Sequence, residues 1–497
     1  MRNFYYYLLS LFLCGCMVGP DYRPPMNYVP DQWTPLPCPQ EVNLEFSQEL
    51  PLCEWWEVFE DPLLIEYIRM AALHNNDIRV AEANVCRARA TRMVAAAPLF
   101  PQLSADFNGS RTMFSKNGPL FQIPAPNAPT TPGATTPNAQ FTIQVPQFQT
   151  LYNATLDMTW ELDLFGKTRR NVESADAKVS ASIEQMNDRL ISVFAEVARN
   201  YLEARTAQEK ISLTKENINV LEKSADIIGR RVKAGLSNQL DLERIEAEVA
   251  QVYATIPNFE ALLFQSIYAL SVLTGNLPET LVAELLPYRS LPPIPSEVSI
   301  GIRSDILRRR PDIRAAERQL ASATADIGVA VANFFPTISL FGDEGFQSLM
   351  FSNLFQGASN TWSYGGDINL PIFQGGKLVG NLRVAEASAT AAAYTYRQTV
   401  LQALQETESS MVTFLEDLKT MRRYGDSVGR NEKIVQLSNE RYVKGLVSIT
   451  DLLDSERQLI SIQQNRLDAE SAALLDLVRL YKALGGGWET YFSECRH

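Results

Sequence analysis

The sequence predicts an α+β membrane protein built from one duplicated unit. Three observations carry this. The chain repeats itself: Arg231, Gly235, Asp241, Glu246 and Gly275 recur at one constant offset as Arg441, Gly445, Asp451, Glu456 and Gly485. Upstream, Asp77-Ile-Arg-Val-Ala-Glu82 returns as Asp312-Ile-Arg-Ala-Ala-Glu317, and Phe100-Pro-Gln-Leu-Ser104 as Phe335-Pro-Thr-Ile-Ser339. Self-similarity on this scale points to a pseudo-symmetric architecture. The second observation is strict alternation of apolar and polar residues from Tyr152 to Leu164, and the third is a pair of helical stretches too long for a compact domain.

Residues 1–15 read as a lipoprotein signal peptide. Arg2 supplies positive charge, Phe4 to Leu13 a short apolar core, and Leu13-Cys14-Gly15-Cys16 the cleavage and acylation pattern, with Cys16 as the lipidated residue. A lipid there anchors the mature N-terminus at a membrane surface. The residue after Cys16 is Met17 and not Asp, which favours sorting to the outer membrane. Residues 16–60 form the lipid-anchored extension. Cys38 and Cys53 close a short loop and could pair in an oxidising compartment. Cys86 sits in a helical pattern and is expected as a small buried thiol.

The first repeat spans 61–277. It opens with a helix, Asp61 to Ala97, followed by strands over about 98–114 and 141–165. In the second of these, Tyr152, Ala154, Leu156, Met158, Trp160, Leu162 and Leu164 face one way, and Asn153, Thr155, Asp157, Thr159, Glu161 and Asp163 the other. Period 2 over this span makes a strand of about 43 Å. The segment between the strands, roughly Ser115 to Gln140, is rich in Pro, Thr, Ala and Asn and reads as an exposed loop. From Thr168 to about Arg230 no proline intervenes, and no glycine before Gly229. That is a helix of roughly 90 Å, against an average of about 11–12 residues. A glycine turn at Gly235 and a return helix, about Leu240 to Leu273, complete the unit.

A proline-rich linker, 278–299, leads to the second repeat, 300–488, and a C-terminal tail, 489–497. The second copy supplies a helix from Arg310 to Asn333, strands over about 335–348 and 362–373, a long helix from Lys377 to about Tyr442, and a return from Ile449 to Leu484. Its inter-strand loop, Met350 to Thr361, is much shorter than the first. Four strands cannot close a barrel, and no further strands are evident for a second sheet. Three chains would supply twelve, an even number within the membrane-barrel range.

Charge and composition exclude other classes. The formal net charge is −12, which disfavours a phosphate backbone as partner, so no nucleic acid is expected. No apolar run of about 18 residues follows the N-terminus, so no transmembrane helix is expected. The two histidines, His74 and His497, stand in no metal or triad spacing, and no catalytic residue, metal site or cofactor is expected. Gly485-Gly-Gly487 lacks a following Lys and Ser, so it ends a helix and does not cradle a phosphate.

Further motifs identify a family. Cys16-Met-Val-Gly-Pro-Asp-Tyr22, Trp55-Trp56 with Phe59 and Asp61-Pro62, Trp160-Glu-Leu-Asp-Leu-Phe-Gly166, Arg308-Arg-Arg-Pro-Asp-Ile-Arg-Ala-Ala-Glu317, Pro371-Ile-Phe373 and Leu480-Tyr-Lys-Ala-Leu-Gly-Gly-Gly-Trp488 span nearly the whole mature chain. The chain thereby resembles the outer-membrane efflux (TolC) family, in its lipoprotein branch of tripartite drug-efflux systems, the OprM and NodT type. The resemblance implies a homotrimer with a twelve-stranded β-barrel in outer-membrane lipid, a twelve-helix periplasmic α-barrel and an equatorial collar. It implies an exit duct for drugs or other small molecules, docked to a periplasmic adaptor and an inner-membrane RND-type transporter. Heavy-metal efflux or type I secretion uses the same fold, and a lipid-anchored coiled coil or adhesin is the alternative from another class.

Asp451 and Asp454 lie three residues apart at a helix start, hence on one face. They serve either as dipole-complementing residues or, as the resemblance implies, as the acidic constriction of the periplasmic aperture. The resemblance also implies a gate hydrogen bond between Tyr442 and Asp241, and adaptor contacts at Gly235, Leu236, Gly445 and Leu446. The family's accompanying arginine falls at Val447 here, which leaves open how the gate is locked.

Overall fold

The structure, a computed structural model, describes residues 17–25, 30, 32–34, 45–47, 53–117 and 146–489. Cys16, Cys38 and the segment 118–145 lie outside them, and with them the acylation site, one half of the expected cysteine pair and most of the first inter-strand loop. The chain divides into two compact units, and each repeat contributes to both.

The first unit takes in Arg92–Ser174, Thr324–Glu386 and the chain up to Asp21. Strands β2 (Gln102–Met113), β3 (Phe148–Leu162), β5 (Thr337–Ser348) and β6 (Asn360–Asn369) form an antiparallel sheet in the order β2-β3-β5-β6. The register sorts the two faces. Leu103 pairs with Met158, Ala105 with Leu156, Trp160 with Leu340 and Gly342 with Tyr364, which builds an apolar face. Asp106 pairs with Thr155, Ser104 with Asp157 and Asp343 with Ser363 on the polar face. Phe341 and Glu344 are among the residues that break the alternation. Phe341 turns to the polar face, where Gly365 makes room: a Cβ there would lie 2.6 Å from the ring. Glu344 stands on the apolar face between Leu156 and Trp362.

The corner after β3 is built by Asp163. Its carboxylate accepts from the backbone N–H of Thr168 at 3.1 Å and of Arg169 at 2.9 Å. These are orphan donors at the start of α3 (Lys167–Lys233), which an anion satisfies best. Phe165 stacks on Phe335 at 4.8 Å, and Trp160 donates to the Leu99 carbonyl at 3.1 Å.

The second unit holds the helical core, around α1 (Pro62–His74), α2 (Asn76–Ala96), α3, α4 (Gln239–Tyr253), α5 (Ile256–Leu273), α6 (Val282–Leu285), α7 (Ile306–Arg309), α8 (Pro311–Ala332), α9 (Lys377–Val443) and α10 (Ile449–Leu484). Trp55 stacks on Tyr481 at 5.5 Å, and Trp56 meets Phe194 edge-on at 5.3 Å. Asp61 caps α1 by accepting from Leu63 N–H at 2.9 Å, and it also accepts from the Tyr201 hydroxyl. Arg310, nearly buried, forks onto Asp312 at 2.7 Å and reaches Glu406 at 2.8 Å and the Ala483 carbonyl at 3.1 Å. The sequence motifs around Trp55, Asp61, Arg310 and Trp488 are therefore packing motifs of this core.

Several expectations need correction. The 61–97 helix is two, α1 and α2, because the Asn75 side chain caps α2, its Oδ1 accepting from Asp77 N–H at 2.8 Å, while its Nδ2 donates to the Leu273 carbonyl at 2.8 Å. The first return helix is also two, α4 and α5, broken before Pro257, which lacks the N–H needed to continue the helix. A second, two-stranded parallel sheet exists: β1 (Glu45–Ser47) pairs with β4 (Glu297–Ser299). Cys86 is exposed, because α2 buries only Ile78 and Val85. Gln239–Leu273 has the length and composition of a membrane span, but it is broken before Pro257 and packs Leu263, Ile267 and Leu270 in the helical core.

Trp56→Ala removes the ring that Phe194 packs against. It should destabilise the second unit by about 3–5 kcal/mol, read as an earlier guanidinium midpoint in far-ultraviolet circular dichroism.

Candidate functional site

The expected gate residues gather at the ends of the two long helices. After α3, Gly235 adopts φ 71° and its N–H bonds the Val232 carbonyl at 2.9 Å, while Leu236 N–H bonds Arg231 at 2.8 Å. After α9, Gly445 adopts φ 74°, with matching bonds to Tyr442 and Arg441, both at 2.9 Å. Positive φ selects glycine at both turns. Leu236 and Leu446, one residue on, are 69% and 65% exposed and present apolar side chains at the tips.

Asp451 and Asp454 differ in environment. Asp451 completes a capping box: Ser448 Oγ accepts from Asp451 N–H at 3.3 Å, and Asp451 Oδ2 accepts from Ser448 N–H at 2.9 Å and from its hydroxyl at 2.8 Å. Those bonds from Ser448 hold its carboxyl below the usual range, so it stays charged. Asp454 pairs with Arg457 at 3.5 Å, and Arg457 also binds Glu248 at 2.5 Å.

The Tyr442–Asp241 hydrogen bond is not made within the chain. Tyr442 is packed with Ile228, Ile245, Ile449, Leu452 and Leu453, its hydroxyl buried without a partner among the described residues and the Arg231 guanidinium 5.2 Å from its ring centre. Asp241 instead accepts from the Ser237 hydroxyl at 2.8 Å, a partner only four residues away. Val447 packs against the same apolar cluster, so an apolar contact stands at the position of the family's arginine. A cross-link the sequence did not reveal joins the two hairpins: Arg244 donates to Thr450 Oγ1 at 3.0 Å.

The profile of the outer membrane efflux protein family matches residues 67–276 and 302–486. The chain belongs to that family. Among curated relatives of this efflux protein, the toluene efflux pump outer membrane protein TtgC of Pseudomonas putida is 33% identical over 487 residues, covering 96% of this chain and 94% of that one. Nodulation protein T of Rhizobium leguminosarum bv. viciae is 29% identical over 485 residues, covering 97% and 92%. Among solved structures, the outer-membrane channel OprN superposes with a TM-score of 0.82 at 31% identity, over 95% of this chain and all of that one.

The efflux protein also carries a buried carboxyl, Glu456, to which the sequence assigned no role. Glu456 is buried, with Oε1 3.5 Å from Ser224 Oγ and Oε2 without a partner among the described residues. Burial pushes its carboxyl up to about 7, and the charge of Glu248 adds to this against the Ser224 hydrogen bond. The repeat had marked the position, since Glu246 is its counterpart; Glu246 is exposed, so the periodicity alone did not separate them.

Because the folded state holds this proton up to about pH 7, Glu456 favours folding at acid pH, and that contribution is lost as pH rises from the ordinary glutamate range through about 7. Glu456→Gln should flatten the melting temperature between pH 5 and 8 and raise it at the alkaline end. An unchanged pH profile in thermal denaturation would contradict this.

Proposed function

We propose that three copies of this chain form the outer-membrane exit duct of a tripartite efflux pump. Each copy contributes its four strands to a twelve-stranded barrel and its long helices to a twelve-helix periplasmic barrel with an equatorial collar. The duct is passive, and a periplasmic adaptor and an inner-membrane RND-type transporter supply capture and energy. Lipid on Cys16 adds a second hold on the outer membrane.

The observation that carries this reading is the four-stranded sheet. Leu103, Phe107, Leu156, Met158, Trp362, Tyr364 and Ile368 are exposed, and β2 and β6 have no strand beyond them among the described residues. A membrane strand must have every backbone group paired, and a closed barrel is the arrangement that achieves it. Three-fold closure pairs β6 of one copy with β2 of the next. The efflux of toluene by a relative's pump fits a duct of this kind passing small apolar molecules.

At the tips, Asp451 and Asp454 from three copies line the narrow aperture, while Gly235, Leu236, Gly445 and Leu446 meet the adaptor. The capping role of Asp451 is compatible with this, because its bonds keep the carboxylate ionised. Tyr442 acts in holding the two hairpins closed through its apolar cluster, which Val447 joins, and Asp241 lies beside it at the start of the return helix.

Leu156→Arg places charge on the lipid side of β3 and should cost about 2–4 kcal/mol near mid-bilayer. Thr155→Arg, one residue along on the lumen side, should be tolerated. Outer-membrane yield and heat-modifiable mobility on gels compare the two, and equal losses would refute the assignment of faces. In planar bilayers, multivalent cations added on the periplasmic side should block conductance in a salt-dependent way. Asp451→Asn with Asp454→Asn keeps the helix cap, removes the charge, and should abolish the block. A block that persists unchanged places the constriction elsewhere.

A further inference from the structure

Cys16-Met-Val-Gly-Pro-Asp-Tyr22 matched the family, but lipidation accounts only for its cysteine. The following residues lie in a built groove of the first unit. Arg170, in the first turn of α3, has a side chain only 2% exposed. A buried guanidinium must have its donors satisfied. Its Nε donates to the Val18 carbonyl at 3.1 Å, Nη2 to the Gly19 carbonyl at 3.4 Å and to Asp21 at 2.7 Å, and Nη1 to Glu173 at 2.8 Å. Three of these acceptors belong to the N-terminal strap, and only Glu173 belongs to the helix.

The backbone is fitted as closely as the charges. Val18 N–H donates to the Phe165 carbonyl at 3.2 Å, three residues past the end of β3. Gly19 has φ 91°, and a Cβ on it would fall 2.5 Å from Gly328 Cα in α8. A Cβ on Gly328 would in turn fall 2.8 Å from the Arg170 stem, and one on Gly166 2.8 Å from Met17. Three glycines thus clear a channel for a strap that begins one residue after Cys16.

We propose that Arg170 is a docking post for the lipid-bearing N-terminus. It clamps Val18 to Asp21 onto the corner between β3 and α3, so that the acyl chains are tethered beside the membrane strands with no slack. The proposal rests on acylation of Cys16. Its consequence is positional: the lipid enters the inner leaflet at the foot of this chain's own sheet and holds the strands at a fixed depth while they assemble. Arg170 acts here as a positioning residue.

The test uses the full-length chain, with the N-terminal peptide examined by mass spectrometry and assembly measured as heat-modifiable protein in the outer-membrane fraction. Arg170→Met and Gly19→Ala should each retain the acylated cysteine and reduce assembly several-fold. A short Gly-Ser spacer inserted between Met17 and Val18 leaves the clasp whole but restores slack, and it should reproduce the defect. In a Cys16→Ala background exported by a cleavable signal peptide, Arg170→Met should add little further loss, since there is no lipid left to place. Normal assembly of the spacer variant, or an equal loss from Arg170→Met with and without the lipid, would reduce Arg170 to a structural contact and overturn the proposal. An unacylated N-terminus in the parent protein would remove its premise, and mass spectrometry reads that outcome separately.

Discussion

A sheet with one apolar face and two open edges dictates much of the remaining structure. Each strand carries backbone donors and acceptors along its length, and those of β2 and β6 on the outer side have no partner strand among the described residues. In water such edges invite aggregation, and in lipid each unpaired group costs several kcal/mol. Among the described residues each repeat has contributed its two strands to this sheet, and no other strand pairs with its edges. The proposed trimer resolves the problem by symmetry, and the exposed aromatic and aliphatic residues of the sheet then face hydrocarbon. The corner residues gain meaning in the same frame. Asp163 turns the end of β3 directly into a helix start.

The repeat, the alternating strand at Tyr152–Leu164 and the unbroken helical stretches were legible because each is a periodicity, and periodicity survives without tertiary information. The long helices run Lys167–Lys233 and Lys377–Val443, within a few residues of expectation. Breaks imposed by tertiary contacts were not legible. Asn75 reads as an ordinary helical residue until its amide is seen to serve both α2 and the end of α5. The break at Pro257 was visible in the sequence and was passed over, since a proline inside a helical pattern marks a boundary. The short β1–β4 pairing joins residues so far apart that no local pattern announces it.

At the tips, the sequence marked residues by their place beside the glycine turns and could not assign their partners. Asp241 and Asp451 both lie near helix starts with a serine or asparagine just before them, and such neighbours compete for any carboxylate. The nearby hydroxyls of Ser237 and Ser448 are the partners seen. Tyr442 was marked by its place beside the glycine turn, yet its packing under Arg231 and against Val447 depends on how the two hairpins meet. Glu456 was hidden for the same reason: a glutamate on a helix is ordinarily solvated, and only the opposing helices take its water away.

The two copies of the duplicated unit are unequal in stiffness. The first hairpin returns through α4 and α5, interrupted at Thr255 ahead of Pro257, whereas the second returns through α10, one helix of 36 residues. The counterpart of Pro257 in the second copy is Leu467, which is buried and keeps the helix intact. One strut therefore has a joint and the other has none. Under a load applied at the tips, bending concentrates at the joint while the unbroken strut keeps its line. Duplication supplied two identical levers, and a single proline has made one of them compliant and left the other to bear against.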